Sequence, residues 1–295
     1  MLGALVYNQA MILAVDIGGT KTLLALFDSK GKICSSKRFK TSSNYRHFIK
    51  DLSAACSELL ADKQVAVVAC GIPARLDQAH KIGLEFGNLA WRNAPIHQDL
   101  AKILPGSGIV IENDAKLAGL AEALNYKKYR KVLYLTISTG IGDGIIISGI
   151  IDPDFADSEA GQMVLMHDGK LKKWEDFASG RAIKKIYGQL AKDITNEKVW
   201  YKYSKDLAQG IDVLVATLNP DLIIIGGGVG SHFDKFGHFL RHELKNYENN
   251  MVKMPPIVPA KHAEEAVVYG CYALAHQHLS HHPAARDIQK ATAHA

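Results

Sequence analysis

Cysteine is scarce in this chain. The four present, Cys34, Cys56, Cys70 and Cys271, form no Cys-x-x-Cys pair and no disulfide pattern. A disulfide-stapled secreted scaffold is thereby excluded, and a reducing, cytoplasmic setting is expected. Long apolar runs are missing too: none approaches the roughly 20 residues of a membrane helix. Residues 1–10 lack the basic start of a signal peptide. Charge of one sign is not concentrated anywhere. The formal net charge is +5, but the Lys and Arg are scattered. The one dense group, Lys127-Lys128-Tyr129-Arg130-Lys131, lies between a helix-like and a strand-like segment and reads as a solvated connection. Neither nucleic acid nor a membrane is an expected partner. Two common phosphate sites are also missing. There is no Gly-x-x-x-x-Gly-Lys-Ser/Thr loop, and no Gly-x-Gly-x-x-Gly opens a helix. What remains, 47% hydrophobic and 22% charged over 295 residues, is enough for one large core or two.

The most informative stretch present is Ile12-Leu-Ala-Val-Asp-Ile-Gly-Gly-Thr-Lys-Thr22. An apolar run reaches a carboxylate, Asp16, then Gly18 and Gly19, then Thr20, Lys21 and Thr22, and a second apolar run follows at once. The pattern predicts a β-hairpin. Its tip holds what a phosphate group needs: glycines that admit the backbone, hydroxyls, N–H groups and one cation. A plain Gly-Gly turn beside an exposed Asp is the alternative.

Apolar alternation and helical spacing predict strands at 12–17, 22–28 and 31–39, a helix at 45–61 and a strand at 65–70. A helix at 97–103, a strand at 108–111 and a helix at 114–125 follow. Strands at 132–138 and 144–149 then repeat the opening pattern around a second glycine turn. A loop-rich insert occupies 151 to about 175. Helices at about 179–193 and 204–218, a strand at 222–225, a helix at 233–246, a strand at 256–259 and a helix at 263–278 complete the chain. The expected architecture is duplicated α/β, with two domains and a ligand cleft between them. The His-rich segment after Leu279 reads as a disordered tail.

The second turn, Thr136-Ile-Ser-Thr-Gly-Ile-Gly-Asp-Gly144, carries hydroxyls and three glycines at the end of an apolar strand. It reads as a hairpin or as an anion cradle. Asp143 is awkward in a cradle, because a carboxylate beside phosphate costs energy unless neutralised. Gly226 to Gly230 reads as a tight strand-to-helix turn or as backbone packed against a flat ligand. Asp114, in Glu112-Asn-Asp-Ala115, reads as a helix cap or as a base for a phosphoryl acceptor.

Taken in order, Asp16-Ile-Gly-Gly-Thr-Lys-Thr22, Glu112-Asn-Asp-Ala115, Thr139-Gly-Ile-Gly142, Ser158-Glu-Ala-Gly161 and Ile225-Gly-Gly-Gly228 resemble the ROK family of repressors, open reading frames and sugar kinases. The resemblance runs from about residue 12 to 278. It implies the actin-like ATPase (ribonuclease-H-like) fold, with an N-terminal domain of residues 1–112, completed by the helix at 263–278, and a larger one of residues 113–262. It further implies ATP-dependent phosphorylation of a hexose, glucose first, with Mg²⁺, in a homodimer. By resemblance Asp114 is the general base and Asn113 its sugar-binding neighbour. Asn88, in Gly87-Asn-Leu-Ala-Trp91, matches the sugar loop, and Glu159 and Glu175 match two sugar-binding glutamates. Asp16 resembles the carboxylate that holds Mg²⁺ through water. Gly18, Gly19, Thr20, Lys21 and Thr22, with Thr139, Gly140 and Gly142, resemble the phosphate loops, and Gly227 and Gly228 the adenosine loop.

Two departures stand out. Gln162 replaces a histidine that binds sugar and zinc in many members, and the segment from Leu165 to Trp174 has no cysteine, so no structural zinc is expected. His167 reads there as a surface residue. Asp143 stands where the family commonly has glycine. Kinases for mannose, fructose, N-acetylmannosamine or N-acetylglucosamine, and a non-catalytic sugar sensor, are the alternatives. A repressor is not expected, because 15 residues before Asp16 leave no room for a helix-turn-helix domain.

Overall fold

A computed structural model describes residues 11–281 apart from Asp62, Asn88, Ala263 and Glu264. Its contacts divide the chain into two compact units. One runs to Ala118 and resumes at Val267; the other is Gly119–Ala266.

In the first unit, β1 (Ile12–Ile17), β2 (Lys21–Phe27), β3 (Ile33–Lys40), β4 (Val67–Ile72) and β8 (Gly108–Asn113) form one sheet in the order β3-β2-β1-β4-β8. The first three are antiparallel; β1, β4 and β8 are parallel. Every residue of β4 is buried, as expected for a central parallel strand covered on both faces. The edge strand β3 alternates between partly buried and exposed residues, which leaves a polar face on the edge. Helix Tyr45–Leu60 begins where the Asn44 side chain accepts from the His47 N–H at 3.1 Å. Its Phe48, Leu52, Ala55, Cys56 and Leu60 pack with Leu13, Val15, Leu24, Leu26 and Val68 on one face of the sheet. The opposite face meets helix Ala266–His281 through Phe27, which stacks on Tyr272 at 4.9 Å.

A second sheet in this unit was not legible in the sequence. Strands β5 (Ala74–Asp77), β6 (Ile82–Phe86) and β7 (Arg92–Ala94) are three to five residues long, too short for an alternation to show.

The second unit repeats the topology of the first. Strands β9 (Lys131–Ile137), β10 (Ile141–Ile147), β11 (Ile150–Ile151), β14 (Leu222–Gly226) and β15 (Ile257–Pro259) lie in the order β11-β10-β9-β14-β15. Again three strands are antiparallel and the remaining pairings parallel. The duplication expected from the two glycine turns is therefore present. The insert expected as loop contains a hairpin, β12 (Val164–His167) with β13 (Lys170–Lys173). The helix expected to reach residue 193 ends at Tyr187, because Gly188 turns left-handed at φ 70°. The helix expected from residue 204 starts at Glu197, where Asn196 caps it, and runs to Leu218. The tail expected as disordered from 279 is helical as far as His281; residues 282–295 lie outside the described residues. No helix among the described residues is long and apolar enough to cross a membrane. All four cysteines are free.

Candidate active site

In the first unit the turn between β1 and β2 is locked from outside. The Gly18 N–H donates to the Lys21 carbonyl at 3.0 Å, and a Cβ on Gly18 would stand 2.8 Å from that oxygen. Only glycine fits so close an approach. Thr41, just past β3, donates its hydroxyl to the Gly18 carbonyl at 2.8 Å and its N–H to the Thr20 carbonyl at 3.0 Å. The Thr22 hydroxyl is fully buried and shares a hydrogen bond with Thr41 at 2.9 Å. Thr22 was expected to face phosphate; its hydroxyl holds the turn instead. Thr20 and Lys21 are exposed.

The register places Arg38, Leu23, Asp16, Gly71 and Glu112 in one row across the sheet. Asp16 has its carboxyl raised to about 7, first by burial and then by the negative charge of Asp114, with Arg38 acting in the opposite direction. Asp114 is the first residue of helix Asp114–Ala123. The capping role falls chiefly to Asn113, whose Oδ1 accepts from the N–H groups of Ala115 at 2.9 Å and Lys116 at 3.3 Å. The Asn113 amide donates to the Ala74 carbonyl at 3.2 Å. An amide has two N–H donors, and the second meets no acceptor among the described residues. Asn88 lies outside the described residues. Trp91 of the same motif is buried among Tyr45, Phe48 and Phe86, and its indole donates to the Ser43 carbonyl at 3.0 Å.

In the second unit three segments converge on Ser138, a residue that the site expectation omitted although it stands inside the quoted motif. Its hydroxyl accepts from the Gly228 N–H at 2.9 Å, and its carbonyl accepts from the Gly180 N–H at 2.7 Å. Gly227 has φ +81°, and a Cβ there would be 2.6 Å from the Ile137 carbonyl oxygen. The Thr139–Gly142 turn in turn lies against Glu175. The Gln162 amide donates to Glu175 Oε1 at 3.0 Å, and the Ile141 N–H donates to Oε2 at 3.4 Å. A Cβ on Gly140 would fall 2.5 Å from Glu175 Oε2. Glu175, Gln162 and the glycine turn thus form one cluster.

Asp143 is not an anion-repelling intruder in that turn. Strand alternation points it into the buried side, 4% exposed. Its carboxylate accepts from the Ala160 N–H at 2.7 Å and from the Ser158 hydroxyl, one residue on each side of Glu159. His167, expected at the surface, is buried. Its Nε2 lies 3.0 Å from Asp206 Oδ1, its Nδ1 3.0 Å from Lys172 Nζ, and its ring stacks on Phe177 at 4.1 Å. Asp168 Oδ2 also approaches Nδ1, at 3.1 Å, so the ring is held between three charged side chains. Among the described residues no group of three or more His, Cys, Asp or Glu could hold a metal ion.

Two α/β units of one topology, each opening with strand, glycine turn and strand, define a class: the actin-like ATPase fold. A glucokinase of the ROK family from Streptomyces griseus, solved with glucose and AMPPNP, superposes with a TM-score of 0.76 over 91% of this chain and 100% of its own, at 22% identity. The chain belongs to the ROK family, whose sequence profile matches residues 12–278. It is 27% identical to the N-acetyl-D-glucosamine kinase of Haemophilus influenzae, covering 90% of this chain and 99% of that one. It is 24% identical to the glucokinase of Streptomyces coelicolor, over 91% and 98%.

Proposed function

We propose that this protein transfers the terminal phosphoryl group of ATP to a hexose hydroxyl, with glucose the first candidate and O6 the acceptor. The observation that carries the reading is the carboxylate pair: Asp16 at a strand end, its proton affinity raised by burial and by Asp114, with Asp114 opening a helix beside a half-used asparagine amide. Asp114 takes the proton of the attacking hydroxyl on a carboxylate oxygen as the oxygen–phosphorus bond forms and the bond to ADP breaks. The helix N-terminus favours the ionised form that a base needs. Asp16 suits a divalent cation, because a positive charge there relieves its burial and its repulsion from Asp114 together. When bound, Mg²⁺ would spread the negative charge of the phosphates. The turns at Gly18–Lys21 and Thr139–Gly142 offer N–H groups to phosphate, and Gly227 and Gly228 offer flat backbone to adenosine. Asn88, Asn113, Glu159, Gln162 and Glu175 address the sugar. Cytoplasmic placement, supported by four free thiols, and a homodimer belong to the same reading.

N-acetylglucosamine is the second candidate acceptor, favoured by the Haemophilus relative and by the amide of Gln162 in the proposed sugar pocket. ADP release measured across glucose, mannose, fructose, N-acetylglucosamine and N-acetylmannosamine separates these. Asp114→Ala should lower turnover by about 10²–10⁴-fold while the protein stays folded. Near-normal turnover in that variant removes the base assignment, and no ADP release with any sugar removes the kinase reading.

A further inference from the structure

Three residues of helix Glu197–Leu218 grip a single helical turn in the same unit. Tyr203, Asp206 and Gly210 are spaced three and four apart, which puts them on one face of that helix. The Tyr203 hydroxyl donates to the Ala178 carbonyl at 3.1 Å. Gly210 makes room for the Trp174 indole, since a Cβ there would stand 2.1 Å from the ring. Asp206 lies 3.0 Å from His167 Nε2, and the His167 ring stacks on Phe177 with 20° between the planes. Trp174, Phe177 and Ala178 belong to helix Glu175–Ala178 and its cap, and Glu175 is the first residue of that helix. Four residues are too few for a helix to hold itself in place. The Trp174 N–H is tied from outside as well, to the Met163 carbonyl at 2.8 Å. Where Glu175 points is therefore set by what grips the turn.

Tyr203 and Gly210 hold the two ends of the turn; the pair between them adds something else. Burial raises the Asp206 carboxyl above the usual carboxylate range, and the hydrogen bond to His167 draws it back. A buried carboxylate carries a desolvation cost that an apolar side chain of similar volume would not. What the pair contributes is direction. Asp206 meets the imidazole at Nε2, while Lys172 and Asp168 approach Nδ1 at 3.0 and 3.1 Å. A ring held at both nitrogens presents a fixed plane to Phe177, which is 2% exposed and lies two residues along the turn from Glu175. An aliphatic residue would fill the same volume and leave that plane free. Glu175 needs the precision, because its two oxygens meet separate donors, the Gln162 amide and the Ile141 N–H.

We propose that Asp206 and His167 are positioning residues for sugar binding: acting through Phe177, they orient Glu175 so that its carboxylate meets Gln162 and a sugar hydroxyl together. This rests on the reading of Glu175 as a sugar contact.

The test measures kcat and KM for sugar and for ATP in Asp206→Ala, Asp206→Asn, His167→Ala, the Asp206→Ala/His167→Ala double variant and Leu214→Ala, and repeats Asp206→Ala in a Glu175→Gln background. Asp206→Ala should raise KM for the sugar about tenfold, with kcat and KM for ATP within about threefold. His167→Ala should do the same, and the double variant no more than either alone. Asp206→Asn keeps one acceptor oxygen in place and should recover most of the affinity. Leu214, buried on the same helix, controls for lost stability: Leu214→Ala should lower the melting temperature and leave KM for the sugar unchanged. In the Glu175→Gln background Asp206→Ala should add less than about twofold, because the group it acts through has gone. A second readout is amide exchange. The Phe177 and Ala178 N–H groups donate to the Trp174 carbonyl at 3.2 and 3.0 Å. Both should exchange about tenfold faster in Asp206→Ala, with or without sugar.

An unchanged KM for the sugar in Asp206→Ala overturns the proposal. So does an equal rise in Leu214→Ala, or a full further rise in the Glu175→Gln background. If the parent releases ADP with no sugar, the kinase reading falls and amide exchange decides alone. Faster exchange at Phe177 and Ala178 in Asp206→Ala but not in Leu214→Ala keeps the pair as the mount of the Glu175 turn; unchanged exchange removes it.

Discussion

At the scale of single residues, two carboxylates show how position sets chemistry. Asp16 and Asp114 are both readable in the sequence, one at the end of an apolar strand and one at the start of a helix. Their mutual effect is not. Asp16 is held at about 7 in the folded chain against 3.8 for the free side chain. Its folded form binds the proton more tightly than the unfolded form, so its contribution to stability is present in full below about pH 4 and is lost as pH rises through 7. Asp16→Asn should therefore raise the melting temperature of the ligand-free protein at pH 8, by several degrees at roughly 2–4 °C per kcal/mol. The advantage should vanish toward pH 4; thermal scans at the two pH values check this. The surroundings of His167 and Asp143 escape the sequence for one common reason. Their partners, Asp206 and the Ser158–Ala160 pair, lie 39 and 15–17 residues away, beyond any local pattern. A histidine without a visible partner looks exposed, and an aspartate in a glycine turn looks misplaced.

At the scale of elements, the short segment Ser158–Gln162 is the clearest case of structure imposed from outside. Three residues of 3₁₀ helix, Ala160–Gln162, cannot hold themselves in place. Asp143, on β10, supplies two acceptors to the segment, and Gln162 is tied to Glu175. Asp143→Ala leaves a buried N–H and a hydroxyl without their acceptor, at a cost of about 1–3 kcal/mol. Because Glu159 lies between the two bonded residues, KM for the sugar should rise about tenfold with a smaller change in kcat, and Asp143→Asn should restore part of it. Steady-state kinetics with sugar as the varied substrate measures this; an unchanged KM would dissociate Asp143 from the sugar contacts. The hairpin β12–β13 belongs to the same scale. His167 fixes its inner face on Phe177, two residues beyond Glu175 in the helix Glu175–Ala178. The sequence showed a loop there because four-residue strands of mixed polarity carry no decisive alternation.

At the scale of the whole molecule, the chain passes between its units twice, at Ala118–Gly119 and at Ala266–Val267. On the second unit's side the two passages are tied by Glu122, which is fully buried and accepts from the backbone N–H groups of Lys261 and His262 at 2.6–3.0 Å. On the first unit's side they touch at Gly270, where a Cβ would come within 2.0 Å of the Leu117 carbonyl oxygen. Glu122→Ala should lower stability by about 1.5–3 kcal/mol, as expected for lost hydrogen bonds to a charged group, measurable by denaturant unfolding. The sequence by itself determined the alternation of strands and helices, the two glycine turns, the carboxylates at Asp16 and Asp114, and hence the duplicated fold. Each of these follows from short-range rules, namely apolar period, glycine freedom and helix capping. Tertiary structure alone decided that Thr22 serves the turn, that Asp143 holds the Glu159 segment, and that Ser138 gathers Gly180 and Gly228. Those arrangements join residues tens of positions apart, and no period in the chain records a contact made by packing and register.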